Sequence, residues 1–270
     1  MNIFRELVTN NNKSSIHSNG SDYSYSRLIQ DSDKFRFFSI NRPLVFVVAT
    51  NSYDCLTGYV GLMRSNAVVA LINDSIHGSM FNDLVINFKP SIIYQPKNEF
   101  SFEKNWKQRL KVGKYVLYET NIEVDYNINE DLSLLLMTSG STGSPEFVRL
   151  SHTNILSNTK SICEYLKIGI NDVAITTLPM SYSYGISIIN THLFMGASLI
   201  LTDRSLMEKE FWEMILRHSA TTFGGVPYTF EMIKKLRFET ISIPSIKYIT
   251  QAGGKLRNDL LEYFSNVSAK

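Results

Sequence analysis

Cysteine is scarce in this sequence, and its positive and negative charges nearly cancel. Cys55 and Cys163 are the only cysteines among 270 residues, which excludes a disulfide framework and predicts a reducing, cytoplasmic compartment. The 27 lysines and arginines are offset by 25 aspartates and glutamates, for a net charge of +2 and a pI of about 8.4. A balance so close to neutral provides no electrostatic footprint for nucleic acid or for an anionic membrane.

Long apolar runs and common catalytic patterns are also missing. No run approaches the roughly 18 apolar residues that a membrane span needs, and the first 15 residues lack the continuous apolar stretch of a secretory signal. There is no zinc-ligand spacing and no Gly-x-Ser-x-Gly nucleophile motif. We therefore interpret His17, His77, His192 and His218 as structural or solvent-exposed. The composition, with 44% hydrophobic and 19% charged residues, is that of a globular protein with a sizeable core.

Apolar runs alternate with amphipathic segments from residue 44 onward. Runs typical of buried strands occupy residues 44–49, 67–72, 91–94, 115–118, 134–137, 173–177, 198–202, 221–223 and 246–250. Helical periodicity follows several of them, and we predict that Asn51 or Ser52 caps one helix and Thr153 another. Cys163 lies on the apolar face of the latter helix, which predicts a buried, protonated thiol. This alternation predicts right-handed crossovers and a mostly parallel sheet.

Residues 97–114 interrupt the alternation with a mixture of basic and aromatic side chains. A segment of this composition could bind nucleic acid. A solvated surface connection is the favoured interpretation, because the rest of the chain shows no basic excess.

The segment Thr138-Ser139-Gly140-Ser141-Thr142-Gly143-Ser144-Pro145 is the densest group of hydroxyls and glycines in the chain. It lies between two runs that are predicted as buried strands, residues 134–137 and 147–150, which argues against a flexible linker. Gly140 and Gly143 can adopt positive φ and leave the backbone N–H groups uncovered. Successive N–H groups and hydroxyls in such a loop suit phosphate oxygens. The Walker pattern is not present, because no Gly-Lys-Ser/Thr follows at the required spacing.

The order Thr-Ser-Gly-Ser-Thr-Gly-x-Pro, followed by Ser151-His152-x-Asn154, resembles the phosphate loop of the adenylate-forming enzymes. That superfamily includes acyl-CoA synthetases, aryl-CoA ligases, luciferases and the adenylation domains of peptide synthetases. The resemblance implies that His152 positions the loop and the following helix. One position departs from the family pattern: Glu146 stands where the family has lysine. Strand alternation predicts that Arg149 points to the opposite face from Glu146 and cannot replace that lysine.

Three further motifs match the same family in order. Leu178 to Gly185 is similar to the element whose aromatic residue, here Tyr182, gates the acyl pocket; a tyrosine-rich strand end packed in the core is the alternative. Gly225-Val226-Pro227 resembles the border of that pocket, and residues 251–256 resemble the turn against the adenine. By resemblance, the cofactor-binding residues are Thr138, Ser139, Gly140, Ser141, Thr142, Gly143, Glu146, Gly253, Gly254 and Lys255. The substrate-binding residues are Tyr182, Gly185, Gly225, Val226 and Pro227.

The resemblance implies a layered α/β sandwich with mostly parallel β-sheets flanked by helices. Residues 1–270 would form the N-terminal part of an AMP-binding domain, and the C-terminal domain with the family's catalytic lysine would be absent. No catalytic residue and no metal ligand within the chain is assigned, and we expect these residues alone to form no acyl-adenylate.

The implied reaction joins a small carboxylic acid to AMP, with ATP and Mg²⁺, and then transfers the acyl group to CoA or to the phosphopantetheine of a carrier protein. The acid is not identified, although Tyr182, Tyr184 and Tyr228 could line an aryl pocket or a short acyl pocket. The alternative is a nucleotide-binding or scaffold protein that is derived from the family and impaired in catalysis.

Overall fold

The computed structural model describes residues 3–4, 15–38, 42–97, 100, 106–124, 126–138 and 146–268. The strands are β1 (Ser15–Ser18), β2 (Ser21–Ser24), β3 (Leu44–Ala49), β4 (Val68–Asn73), β5 (Ile92–Pro96), β6 (Lys107–Val112), β7 (Tyr115–Glu119), β8 (Leu132–Met137), β9 (Phe147–Ser151), β10 (Val173–Ile175), β11 (Ser198–Leu201), β12 (Thr222–Gly225) and β13 (Tyr248–Gln251). The helices are α1 (Tyr25–Ser32), α2 (Tyr53–Arg64), α3 (Gly78–Phe88), α4 (His152–Leu166), α5 (Ser183–Phe194), α6 (Lys209–His218), α7 (Pro227–Lys235) and α8 (Asn258–Ser268). Two 3₁₀ helices cover Asp33–Phe38 and Phe238–Thr240.

These strands form two sheets. The first sheet has the order β13-β12-β10-β11-β1-β2, and only its edge pair β1–β2 is antiparallel. The second has the order β6-β7-β5-β3-β4-β8-β9, with a parallel centre and antiparallel strands at both edges. The predicted layered α/β fold with mostly parallel sheets is therefore confirmed.

The apolar run of β3 is continuous because both faces of the strand are buried. Val45 and Val47 belong to the largest apolar cluster, to which both sheets, α2 and α5 contribute. Phe46 and Val48 point the other way, into the cluster that α3 covers. A strand that is covered on both faces shows no polar alternation, which is typical of the parallel centre of an α/β sheet. A third cluster joins α6 to the outer face of the first sheet.

The prediction for residues 97–114 is wrong in its second half. Lys107–Val112 forms β6, an edge strand that pairs with β7. Lysines at such an edge discourage pairing with another chain, and they also hide the strand from a hydrophobic-pattern search.

The strand after the hydroxyl-rich loop is also less buried than predicted. β9 is the opposite edge of the second sheet, and Val148 is 47% exposed. An apolar run alone does not reveal whether both neighbours of a strand are present.

The predicted cap of α4 is wrong by two residues. Ser151 caps the helix: its Oγ accepts from the Asn154 N–H at 3.1 Å, and Asn154 Oδ1 accepts from the Ser151 N–H at 3.0 Å. This reciprocal pair satisfies two backbone donors at the start of the helix. His152 lies 2.9 Å from Ser133 Oγ through Nδ1, which ties the first turn of α4 to β8.

Both cysteines are buried, as predicted for Cys163. Burial raises the pKa of Cys55 to about 12 and that of Cys163 to about 11, so both thiols remain protonated at neutral pH. Along the helices that the structure describes, none has both the length and the apolar character to cross a membrane.

Burial of His192 generates a prediction about stability and pH. Desolvation lowers its pKa to about 4, and Nδ1 lies 2.9 Å from the Ile188 carbonyl oxygen. Because the unfolded histidine titrates near 6.5, the unfolded state binds more protons between these two pKa values. The neutral, buried His192 therefore makes its full contribution to the free energy of unfolding above about pH 6.5. This contribution is lost as the pH falls towards 4, with about 2 kcal/mol lost at pH 5.

Urea unfolding at several pH values between 7.5 and 5 tests this prediction. His192→Asn removes the titration while keeping an amide N–H for the Ile188 carbonyl, so the variant should lose about 2 kcal/mol less than the unaltered chain over this range. Parallel stability curves for the two proteins would contradict it.

Candidate functional site

A cavity of about 760 Å³ lies between the two sheets. Leu134 and Leu136 of β8 line one side, and residues 222–224 of β12 line another together with β13 and the turn that follows it. Helices α4 and α5 complete the wall, with Asn154, Asn158 and Tyr184 among its polar groups. The carboxyl ends of parallel strands are the usual place for a ligand in an α/β fold.

Asn51 fixes the segment that carries Tyr182 into this cavity. Its side-chain amide donates to the carbonyl oxygens of Leu178 and Thr202, each at 3.1 Å, and its Oδ1 accepts from the Met180 N–H at 3.1 Å. The backbone N–H of Asn51 also donates to Asp203 Oδ1 at 3.0 Å. Ser52 is the cap of α2, accepting from the Cys55 N–H, so Asn51 joins the end of β3 to the first sheet.

Three predicted motifs meet beside the cavity at Gly253. This residue has φ of +82°, and a Cβ placed there would lie 2.8 Å from the Tyr182 hydroxyl and 3.1 Å from Val226 Cγ1. A Cβ on Gly254 would lie 3.1 Å from Pro227 Cγ. Glycine is therefore required at residue 253 for both its backbone conformation and this close approach. The structure brings together Tyr182, Val226 and Gly253, which are far apart in sequence.

Other predicted site residues are near the contact at Gly253 in sequence or in space but do not take part in it. A Cβ on Gly185 would lie 2.2 Å from the Pro179 carbonyl oxygen, so this glycine instead lets α5 begin close to that turn. A Cβ on Gly225 would lie 2.6 Å from Thr229 Cγ2, against the first turn of α7, where Pro227 is the first residue. Lys255 is exposed on the turn before α8.

The cavity also contains Tyr184, which the sequence predicted as a possible pocket residue, and two asparagines that the sequence interpretation did not assign to it. Tyr184 donates to Thr250 Oγ1 at 2.6 Å, and burial raises the pKa of its phenol. Asn154 and Asn158 line the wall from α4. Their spacing of four residues on a helix was the available signal, because it puts two amides on one face. Tyr228, in contrast, is 65% exposed and lines a separate, smaller cavity of about 370 Å³.

The hydroxyl-rich loop leaves β8 beside the cavity. The Thr138 N–H donates to the Glu146 carbonyl oxygen at 2.9 Å, which closes the base of the loop. The predicted residues Ser139, Gly140, Ser141, Thr142 and Gly143 lie outside the described residues. Leu136, which lines the cavity, is two residues before Thr138, so the loop begins at the edge of the cavity.

Glu146 is exposed and lines a second groove, of about 890 Å³, together with Phe147 and Arg149. Leu135 lines this groove whereas Leu134 and Leu136 line the main cavity, so the two spaces lie on opposite faces of β8. The expectation that Arg149 points away from Glu146 is not met, since both line one groove. Glu146 precedes the first residue of β9, where strand alternation does not apply.

Comparison with known proteins agrees with this fold and identifies its family. In overall fold, the chain superposes on apo MatB from Rhodopseudomonas palustris with a TM-score of 0.79 at 18% identity, over 100% of this chain and 58% of that one. Residues 9–270 match the family described as AMP-binding enzyme. The chain therefore belongs to the AMP-binding enzyme family, and its resemblance to the adenylate-forming superfamily is confirmed.

The curated relatives are ligases, and each is longer than this chain. An acyl-CoA synthetase of Alternaria alternata is 30% identical over 137 residues, which are 50% of this chain and 24% of the relative. A D-alanine–D-alanyl carrier protein ligase of Staphylococcus epidermidis is 23% identical over 221 residues, which are 80% of this chain and 45% of the relative. The chain thus spans less than half the length of these two relatives.

Proposed function

We propose that this chain supplies the nucleotide-binding and acid-binding part of an ATP-dependent ligase. The enzyme would join a small carboxylic acid to AMP and then transfer the acyl group to the thiol of CoA or of a carrier protein's phosphopantetheine. The observation that supports this most directly is the meeting of Tyr182, Val226 and Gly253 beside a cavity whose wall includes Leu136, two residues before the base of the hydroxyl-rich loop.

The main task of the protein in this reaction is to position two anions, the substrate carboxylate and the triphosphate of ATP. The substrate carboxylate attacks the α-phosphate of ATP, the bond from that phosphate to the bridging oxygen breaks, and pyrophosphate leaves. Loop N–H groups and hydroxyls between Thr138 and Gly143 would hold the phosphates, and the cavity would hold the body of the acid. Mg²⁺ would supply charge neutralisation on the triphosphate. The described residues that line the cavity include no carboxylate, so the triphosphate and not these residues would hold the ion.

The composition of the cavity favours an acid with an uncharged body. Among its described lining residues there is no Asp, Glu, Lys or Arg, and His192 is kept neutral by burial, which lowers its pKa to about 4. A charged substituent would therefore be desolvated without a partner. Tyr182 and Tyr184 suit an aryl group or a short acyl chain better than an aminoacyl group.

Glu146 favours a second candidate function, a nucleotide-binding protein that is impaired in catalysis. The family's lysine at this position would place a positive charge near the triphosphate, and Glu146 places a negative one at the base of the loop. Loop N–H groups and hydroxyls would still bind phosphate, so affinity would be weakened while the binding geometry remained.

A pair of glycine variants tests the nucleotide site. Gly253→Ala forces an L-residue to φ of +82° and crowds Tyr182, whereas Gly20→Ala is strained at φ of +76° with nothing within 4 Å of its Cβ. Both should lose about 1–2 kcal/mol of stability from the backbone conformation. Only Gly253→Ala should weaken ATP binding, by about tenfold, in calorimetric titrations with Mg²⁺. ATP binding that is absent from the unaltered chain, or equal in the two variants, would contradict the assignment.

Replacement of Tyr182 tests the acid pocket. Tyr182→Ala should change the ranking of carboxylic acids in pyrophosphate exchange by the full-length protein by about tenfold or more, while ATP affinity changes less than about twofold. Tyr228→Ala is the control, because that exposed tyrosine lines a different cavity. An unchanged ranking together with lost ATP binding would mean that Tyr182 contacts the nucleotide instead.

Reversal of the charge at residue 146 separates the two candidate functions. Glu146→Lys should tighten ATP binding severalfold at low ionic strength, and the gain should shrink as salt rises, because the side chain is exposed and screened. Glu123→Lys, at another exposed position, makes the same change in net charge and serves as the control. Equal ATP affinities for Glu146→Lys and Glu123→Lys at low salt would show that the residue 146 side chain does not act on the phosphates.

A further inference from the structure

Two histidines meet on the outer side of the first sheet. The imidazole rings of His17, in β1, and His218, the last residue of α6, have centroids 3.9 Å apart and are inclined by 32°. Ile16 is fully buried in the main core, so strand alternation turns His17 to the opposite face. Its partner on β11 is Ile200, which belongs to the cluster that α6 covers. The end of α6 therefore places His218 over His17.

A carboxylate completes the group from the neighbouring strand. Asp22 lies opposite His17 in the β1–β2 pair, and its Oδ1 is 2.6 Å from His17 Nδ1. The other ring nitrogen, Nε2, is 2.9 Å from Ser15 Oγ. His17 has a side chain that is only 14% exposed, whereas that of Asp22 is 63% exposed, so the cluster opens to solvent on the aspartate side.

His218 has ligating capacity that its neighbours do not use. Within the described part of the chain, neither of its ring nitrogens has a hydrogen-bond partner. Burial and the adjacent His17 lower the pKa of His218, and two imidazoles in contact cannot both be charged without repulsion. A neutral imidazole beside a carboxylate is the donor set that zinc and related ions prefer.

We propose that His17, Asp22 and His218 bind one divalent transition-metal ion of the zinc class. Their donor atoms all lie within 4.8 Å of one another. A tetrahedral zinc site has metal–ligand distances near 2.0–2.1 Å and donor atoms about 3.3 Å apart, so rotation of these side chains brings them to the ion. Water would take the open position on the aspartate side. The sequence pattern did not indicate this site, because His218 is remote from the other two residues in sequence and joins them only through the fold.

The ion would link α6 to the hairpin that β1 and β2 form. β2 is the edge strand of its sheet, and β1 is held to the sheet by pairing with β11. A ligand set taken from β1, β2 and α6 would join the hairpin to the helix, so metal binding should raise the unfolding temperature.

Titration of the tag-free 270-residue chain with Zn²⁺ tests the proposal. We expect one bound ion per chain and a rise in melting temperature. His17→Ala and His218→Ala should each weaken binding by at least about tenfold, and the double variant should abolish the thermal shift. His77→Ala is the matched control, because His77 is exposed on another part of the chain, and it should bind Zn²⁺ with unchanged affinity.

Equal Zn²⁺ affinity in the unaltered chain and the double variant would overturn the proposal, as would the absence of stoichiometric binding. If a variant fails to fold, the absorption spectrum of the unaltered chain with Co²⁺ decides. Visible absorption bands of four- or five-coordinate Co²⁺ that disappear when one equivalent of Zn²⁺ is added would support the site. The absence of such bands would reject it.

Discussion

The hydrogen bonds of one buried asparagine determine how the two sheets meet. Asn51 is 5% exposed. Its side-chain amide donates hydrogen bonds to, and accepts one from, backbone groups that follow β10 and β11. Removing the amide would leave the buried Met180 N–H and Leu178 carbonyl without this partner, which is the costly case for a hydrogen bond. Because residues 178–180 are held in this way, Tyr182 is held two residues later at the edge of the cavity.

The cavity follows from this constraint together with the alternation of β8. Leu134 and Leu136 face the cavity and Leu135 faces away, so the two faces of one strand border two different spaces. Thr138 lies at the end of the same strand, where its N–H closes the hydroxyl-rich loop. Under the proposed function, an anion bound near the base of this loop and an acid in the cavity would be neighbours. Such positioning is the main requirement for joining two anionic reactants.

The sequence predicted what depends on local pattern and missed what depends on distant partners. The buried run of β3 and the proline at the start of α7 were predicted correctly, because periodicity and helix-start chemistry are local. The edge strand β6 was missed because its lysines conceal the alternation. The candidate site residues came from a family resemblance, and the meeting of Tyr182 and Val226 at Gly253 became visible only in the fold. Asn51 or Ser52 was predicted as a helix cap, and Ser52 is that cap. The role of Asn51 was missed because its partners lie beyond any local window.

Glu146 illustrates how an electrostatic change can be separated from a geometric one. Its carbonyl closes the loop through the backbone, which any residue can do, whereas its carboxylate lines the groove on the other face of β8. A lysine at this position could therefore reach the phosphates only around the end of the strand, through solvent. Charge interactions through solvent are weak and screened, so glutamate there would reduce affinity without disturbing the loop. For Glu146 to impair catalysis, the residue at this position would have to act on the transition state itself. An effect on ATP binding alone would not be enough.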